Sequence, residues 1–377
     1  MKKTVVFDVS GLLKSKYFSI NGIVRTTISL LKEFEKMNLP FELKLFSQKL
    51  TSKKLVYDFD KKFKRCHLYL PKWDIFKQIT NKLPIIETIC KGDLYHIPHN
   101  FGAYYDFSKV ILTIHDTMFF SVEGENFGDY EFLRNNLRKY APKVKKIITC
   151  SYSSKKDIIK YLNIQEEKVK VIYWGIDHNT FYYTQDKIEV SLKLKKLGIK
   201  KPYFLSTSCD IGRKNTPLLV EQYLKLAKNN PINDLVLVWK NPPDDIVNLI
   251  NKSIYKDRIH ILNYVSDEEL RTLYQGCSAF VFPSKYEGFG LPVLEAMACG
   301  APVITTPYSS LPEVGGDAAY YIDLQEKDVI FNTLKLFDAN KIDINEMIEK
   351  GLKHANKFTW EKCAKDTIEV YKEGLNI

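Results

Sequence analysis

Two glutamates stand eight positions apart in EGFGLPVLE, residues 287–295, with Gly288, Gly290 and Pro292 between them. Upstream, AFVFPS (279–284) is a short apolar run that reads as a strand. Downstream, AMACGAPVITTP (296–307) reads as the rest of a helix and a further strand. Pro292 is favoured in a first helical turn, so the helix is expected to begin there. Gly288 and Gly290 let the backbone turn tightly and let a ligand come close. The N–H groups at such a helix start have no partner within the helix, which makes a ready anion site. On this reading Glu287 lies in the loop and Glu295 in the first turn. A first-turn carboxylate can simply complement the helix dipole, for about 0.3–1 kcal/mol. Ionised carboxylates only accept hydrogen bonds, however, so the pair also suits hydroxyl groups.

Those residues need elements to hold them. At 377 residues the chain is too long for one ordinary core, and two domains are expected. Short β-branched runs alternate with amphipathic segments throughout. In the first half the strands fall at 4–9, 41–47, 93–98, 109–116, 146–151 and 169–175. In the second they fall at 202–208, 234–240, 258–264, 279–284, 301–307 and 318–323. Continuous apolar strands alternating with helices mean parallel sheets covered on both faces. Two such runs predict two Rossmann-like α/β domains, with a linker near 180–200 where no strong strand occurs. Ligands of such sheets bind beyond the carboxyl ends of the strands. That rule selects 8–25, 96–104 and 115–116 in the first half. It selects 206–214, 264–265, 284–291 and 307–311 in the second. The two clusters are expected to face one another across a cleft.

Charge divides the halves. Residues 1–190 carry 32 Lys and Arg against 21 Asp and Glu, and residues 191–377 carry 24 against 24, so the whole net charge of +11 lies in the first half. The densest stretch, KLTSKKLVYDFDKKFKR (49–65), suits an anionic membrane surface or a phosphate-bearing acceptor; the plainer reading is a solvated lysine-rich face. No helix-turn-helix, zinc or single-strand-binding signature accompanies it, so nucleic acid is not the expected partner. Seven scattered cysteines without C-x-x-C fit a reducing cytosol. The start, MKKTVVFDVSGLL, resembles a secretory signal until Asp8 interrupts it, and TVVFDV reads better as a first strand.

The stretch 279–323 closely resembles the C-terminal signature of retaining GT-B glycosyltransferases of the large family-4 type, whose mark is Glu, seven residues, Glu. NGIVR (21–25), TIHDTMF (113–119), STSCDIGRKNTPLL (206–219), NYVSDEELRTLY (263–274) and FTWEKCAKDTIEVY (358–371) match its further segments in order. The resemblance implies a GT-B fold. An acceptor domain of 1–185 would be joined by the closing helix at about 359–377, and a donor domain would span 195–358. It also implies transfer of a sugar from a nucleotide diphosphate to a hydroxyl with retained anomeric configuration, without metal or further cofactor. Glu295 would take the ribose hydroxyls. Glu287 with the amides of Gly288, Phe289, Gly290 and Leu291 would hold the donor sugar and distal phosphate. Lys214 and Arg213 would neutralise the leaving diphosphate, Gly22 would let the phosphates approach, and His115 would sit by the donor sugar. Tyr264 and Val265 would flank the base. His115, Lys214 and Glu287 are the expected catalytic set. GDP-mannose is the favoured donor and a UDP-sugar the next. A cell-surface polysaccharide or lipid-linked oligosaccharide is the expected product.

Some features depart from the family or compete with it. Val24 stands where a second glycine is usual, Cys209 where many members carry Arg, and Asn263 where many have glycine. Asp58-Phe59-Asp60 matches the Asp-x-Asp of metal-dependent transferases but lies in a lysine-rich stretch and reads as chance. His96 and His99 read as a loop lining the acceptor cleft rather than as metal ligands. Trp360 reads as packing in an amphipathic last helix. The stretch 70–89 mixes Trp73, Ile75, Phe76, Ile79 and Leu83 with lysines and suits a membrane interface, giving a cytoplasmic protein peripheral at the inner leaflet. The alternative function is a catalytically silent sugar-nucleotide binder, which would be expected to have lost Glu287, Lys214 or His115.

Overall fold

The computed structural model describes residues 2–13, 22–49, 54–59, 61–69, 79, 82–100, 104–121, 130–207 and 212–377. The chain forms two compact units, Met1–Gly175 with Trp360–Ile377, and Ile176–Thr359. The first holds a seven-stranded sheet in the order β3-β2-β1-β4-β5-β6-β7. These strands are β1 (Thr4–Asp8), β2 (Glu42–Gln48), β3 (Lys64–Leu68), β4 (Leu94–Ile97), β5 (Val110–Thr113), β6 (Lys146–Thr149) and β7 (Val169–Val171). Every pairing is parallel. Alternate residues face opposite ways, as the pleat requires. Val5, Phe7, Leu43, Leu45 and Ile111 join one core with Leu31 and Phe34 of the Gly22–Lys36 helix. Val6, Phe46, Val110 and Leu112 join another with Ile158 and Leu162 of the Tyr152–Leu162 helix.

The closing Trp360–Leu375 helix belongs to the first of those cores. Its buried residues recur every three or four positions, at Trp360, Cys363, Ala364, Thr367, Ile368, Tyr371 and Leu375. Trp360 is therefore packing. A Cβ at Gly374 would lie 3.0 Å from Leu94 Cδ2, so a larger residue there would press that side chain aside where this helix packs on β4.

The second unit holds a six-stranded sheet in the order β10-β9-β8-β11-β12-β13. Its strands are β8 (Tyr203–Ser206), β9 (Asp234–Val238), β10 (Ile259–Leu262), β11 (Ala279–Phe282), β12 (Val303–Thr305) and β13 (Ala319–Tyr321), again all parallel. This is the Rossmann strand order. Phe204, Leu235, Leu237, Val281 and Ile304 pack against Leu219, Val220 and Tyr223 of the Thr216–Ala227 helix and Leu334 of the Val329–Asp338 helix.

Two expectations need correction. β3 carries no apolar run, and its sequence reads as part of the lysine cluster. It is an edge strand, half-exposed along most of its length, and edge strands tolerate charge because only one side is paired. The supposed linker at 180–200 contains a helix, Lys187–Lys196, whose Val190 and Leu194 are buried. Both crowd the space above Gly276, at the end of the Asp267–Gly276 helix, so this segment belongs to the second unit, which begins at Ile176. Of the 70–89 stretch, Trp73, Ile75 and Phe76 lie outside the described residues, while Ile79 and Leu83 are exposed. Among the described residues no helix is long and apolar enough to cross a membrane.

Candidate functional site

The second sheet reverses its order between β8 and β11, and the crevice of such a sheet opens beyond the carboxyl ends of those strands. The loop after β8 delivers Arg213 and Lys214; the loop after β11 delivers Glu287. Lys214 Nζ lies 2.6 Å from Glu287 Oε1 and Arg213 Nη2 3.6 Å from Oε2, with no side chain of the three more than 12 % exposed. Lys214 Nζ also sits 4.3 Å from the centre of the Phe282 ring. Burial pushes the Glu287 carboxyl up, but the charges of Lys214 and Arg213 and hydrogen bonds from Lys214 and Ser284 outweigh it, so its pKa lies below the ordinary 4.5. Two cations share one carboxylate, and the cluster keeps a net positive charge. Among the described residues Arg213 Nη1 is buried without a hydrogen-bond partner, as is Nδ2 of the adjoining Asn215. Buried donors without partners are costly, and an anion would satisfy both charge and donors.

Serines that lie within the selected stretches 284–291 and 307–311, but are not among the expected site residues, hold this loop. Ser284 Oγ donates to Glu287 Oε1 at 2.7 Å. Ser309 Oγ accepts the Glu287 N–H at 2.7 Å, and Ser310 Oγ lies 2.9 and 2.7 Å from the carbonyls of Glu287 and Phe289. The signal is the carboxyl-end rule itself, since Ser284 lies just beyond β11 and Ser309 and Ser310 just beyond β12 in the same sheet. Gly288, Phe289 and Gly290 are buried. Gly290 has φ +112°, and a Cβ there would lie 3.1 Å from Leu311 Cδ2, so glycine is required. It is the N-cap of the Leu291–Ala298 helix, which no side chain caps.

That helix starts at Leu291, not Pro292, and its first turn holds no acid. Glu295, the fifth residue, therefore lies in the second turn rather than the first. It is 8 % exposed and too deep to serve as a simple dipole complement. Its charge helps hold the neighbouring Tyr274 phenol up, after burial itself. Tyr264 is exposed and Val265 half-buried, just before a capping box in which Ser266 and Glu269 open the Asp267–Gly276 helix. Cys209 lies outside the described residues.

His115 and Gly22 belong to the first unit. His115 follows β5, is 6 % exposed, and packs 5.0 Å from the Trp174 ring. Its Nε2–H donates to the Pro98 carbonyl at 2.9 Å, which leaves Nδ1 a buried acceptor without a partner among the described residues. Burial pushes its pKa down to about 4, so the ring is neutral. Gly22 opens the Gly22–Lys36 helix with nothing within 4 Å of the place a Cβ would occupy, whereas Val24 turns into the core at 6 % exposure. His96 is not a loop residue. It lies on β4, fully buried, between Tyr371 Oη at 2.5 Å and Thr113 Oγ1 at 2.8 Å, and burial takes its pKa down to about 3. Asp58 is exposed on the surface, and Asp60 lies outside the described residues. Among the described residues no three His, Cys, Asp or Glu side chains converge as a metal site.

Comparison with known proteins bears on this arrangement. The Glycosyltransferase Family 4 model matches residues 20–180, and the Glycosyl transferases group 1 model matches 191–359. The Escherichia coli O-antigen chain mannosyltransferase B is 30% identical over 289 residues, 75% of this chain and 74% of its own. The Escherichia coli serotype-specific mannosyltransferase WbdA is 27% identical over 277 residues, 71% of this chain, which spans about a third (34%) of that longer protein. Among solved structures, a glycosyltransferase of Rickettsia africae superposes with a TM-score of 0.77 over 99% of both chains at 19% identity. Anabaena HepE, in complex with UDP and glucose, does so at 0.73 over 98% of this chain and 100% of its own, at 16% identity. Both halves of the chain thus match one group in sequence and in fold, and the chain belongs to the GT-B glycosyltransferases of family 4, of the mannosyltransferase-like kind.

Proposed function

We propose that this protein is a retaining, metal-independent hexosyltransferase that moves mannose from GDP-mannose to a hydroxyl of a growing cell-surface polysaccharide or lipid-linked oligosaccharide. The observation that carries this reading is the buried Lys214–Glu287–Arg213 cluster at the switch point of the second sheet, with its spare positive charge and unpartnered Arg213 Nη1. Departure of a sugar builds negative charge on the diphosphate, and fixed cations aimed at that charge are the main catalytic device of such a reaction. Lys214 and Arg213 supply them, so no divalent ion is required. The amides from Gly288 to Leu291 support the distal phosphate at the uncapped helix start. Glu287, held ionised by its neighbours, takes hydroxyls of the donor sugar as Lys214 turns to the diphosphate. Glu295 takes the ribose, and Tyr264 and Val265 flank the base. His115, neutral with Nδ1 bare, accepts a hydroxyl of the donor sugar. The printed names of the E. coli relatives favour mannose and polysaccharide assembly. The UDP complexes among the structural neighbours keep UDP-sugars second.

A thermal-shift panel of GDP, UDP and ADP with their sugars, followed by transfer in excess EDTA, tests the reading. GDP-mannose should stabilise the chain most, and transfer should persist without metal. Stabilisation by none of the nucleotides would sink the donor site. Activity lost in EDTA and restored by Mn²⁺ or Mg²⁺ would sink metal independence.

A further inference from the structure

The first sheet has its own switch point, between β1 and β4. Each of those strands delivers one polar side chain to it. Asp8 is the last residue of β1, and His99 stands two residues beyond Ile97, the end of β4. His99 Nε2 lies 4.0 Å from Asp8 Oδ2, with 24 % and 8 % of the side chains exposed. That is too long for a direct hydrogen bond. It suits two groups that share a third, since an oxygen about 2.8 Å from each would see them at roughly 90°.

The carboxylate is preset for that task. Its Oδ1 accepts the Ser10 N–H at 2.8 Å, Ser10 Oγ accepts the Gln48 N–H at 3.0 Å, and the Val9 N–H donates to the Phe46 carbonyl at 2.7 Å. The loop after β1 is thereby tied to β2, and Oδ2 is left toward His99. Tyr104 adds a fully buried hydroxyl without a partner among the described residues, close enough to Asp8 that after burial this charge is the next cause holding its phenol up.

The same topological position is charged differently in the two units. In the second, two cations against one carboxylate suit an anion. In the first, a carboxylate faces an imidazole, and among the described residues no lysine or arginine pairs with Asp8. Such a pair suits a neutral hydroxyl, which donates to the carboxylate and accepts from the imidazole N–H. We propose that Asp8 and His99 form a hydroxyl-binding subsite that takes a hydroxyl of the acceptor sugar, an inference that rests on the glycosyltransferase reading above. In the free protein a water molecule can fill the same place, and the sugar hydroxyl displaces it with its hydrogen bonds reproduced.

The test is saturation-transfer NMR on the full chain with methyl α-D-mannopyranoside, methyl α-D-glucopyranoside and methyl α-D-galactopyranoside, together with the ring signal of His99. At least one glycoside should bind saturably and move that signal. Its Kd should weaken about tenfold or more in Asp8→Asn and in His99→Gln, the expected loss for one charge-assisted hydrogen bond. Asp8→Asn keeps an oxygen for the Ser10 N–H, and His99 is partly exposed, so both variants should melt near the wild-type temperature. Nucleotide stabilisation, measured in the same samples, should not change. No saturable binding of any glycoside, an unmoved His99 signal, or wild-type affinity in both variants overturns the subsite. Absent nucleotide stabilisation of the wild type counts against the donor reading alone.

Discussion

At the residue scale the Lys214–Glu287 pair decides most. Glu287 is the one carboxylate between two buried cations, so removing it strands both, whereas removing Lys214 leaves Arg213 to pair with it. Glu287→Gln should therefore lose about 3–5 kcal/mol of stability by denaturant titration, and Lys214→Met clearly less. Transfer should fall about 10²–10³ below wild type in both, since one lacks the cation aimed at the leaving group and the other the carboxylate that holds it. Wild-type turnover in either variant would show that its side chain is only structural. Acid should act in two stages. His115 and His96 are held neutral by burial, to about 4 and about 3, while the unfolded chain takes up these protons near 6.5. Between pH 6.5 and 4 the unfolded state binds more protons, so stability falls on acidification, by about 1–3 kcal/mol per histidine. The contribution of Glu287 is fully present above its ordinary 4.5 and is lost only as the pH drops below that, through its lower folded value. Melting temperature against pH should show the histidine stage first. His96→Phe, destabilised overall by two stranded hydroxyls, should show a flatter slope there; an unchanged slope would remove His96 from the account.

At the scale of elements, two glycines separate strain from contact. Gly290 holds φ +112° at the start of the Leu291–Ala298 helix, beside Leu311. Gly290→Ala should cost about 1–3 kcal/mol through strained backbone and crowding, and activity should fall with it. Gly22 has open space and no unusual φ at the start of the Gly22–Lys36 helix. Gly22→Ala should leave the melting temperature unchanged or slightly raised. If the donor phosphates approach that helix start, turnover should still drop. Turnover equal to wild type would remove Gly22 from the donor site. Glu295, in the second turn of its helix, should behave differently from Glu287: Glu295→Ala should weaken nucleotide binding more than turnover, because the ribose is remote from the bond that breaks.

At the scale of the whole molecule, charge is the property that local geometry does not explain. All of the net +11 falls in residues 1–190. Part of it collects at the edge of the first sheet, where Lys44 and Lys64 are paired across β2 and β3. With Arg65 and Lys91 they line an open pocket of about 610 Å³. Like charges directly opposite one another are unfavourable unless an anion lies between them. Each such residue near an anionic leaflet adds about 1 kcal/mol of attraction. The chain should co-sediment with anionic vesicles more than with neutral ones, and less as salt is added. Binding should drop when Lys54, Lys61, Lys62 and Lys64 are changed to Gln. Equal partitioning to both vesicle types, or none, would leave a solvated lysine-rich face and an acceptor free in solution.

What the amino-acid order determined by itself was everything set by local pattern. Strands buried on both faces announce themselves as continuous apolar runs, and the glycines and the proline of 287–295 announce a tight turn into a helix. β3 escapes such a reading because an edge strand needs no apolar run. The Lys187–Lys196 helix looks like a linker because it buries only one narrow face, chiefly Val190 and Leu194. Tertiary structure alone decided which charges meet. Nothing in the sequence pairs Lys214 with Glu287, 73 positions on, or sets Asp8 against His99. It also moved His96 from a supposed cleft loop into the core, against a tyrosine 275 positions away. The physical reason is common to all of these. Parallel sheets bring the carboxyl ends of strands distant in sequence side by side, and residue spacing along the chain carries no record of strand order.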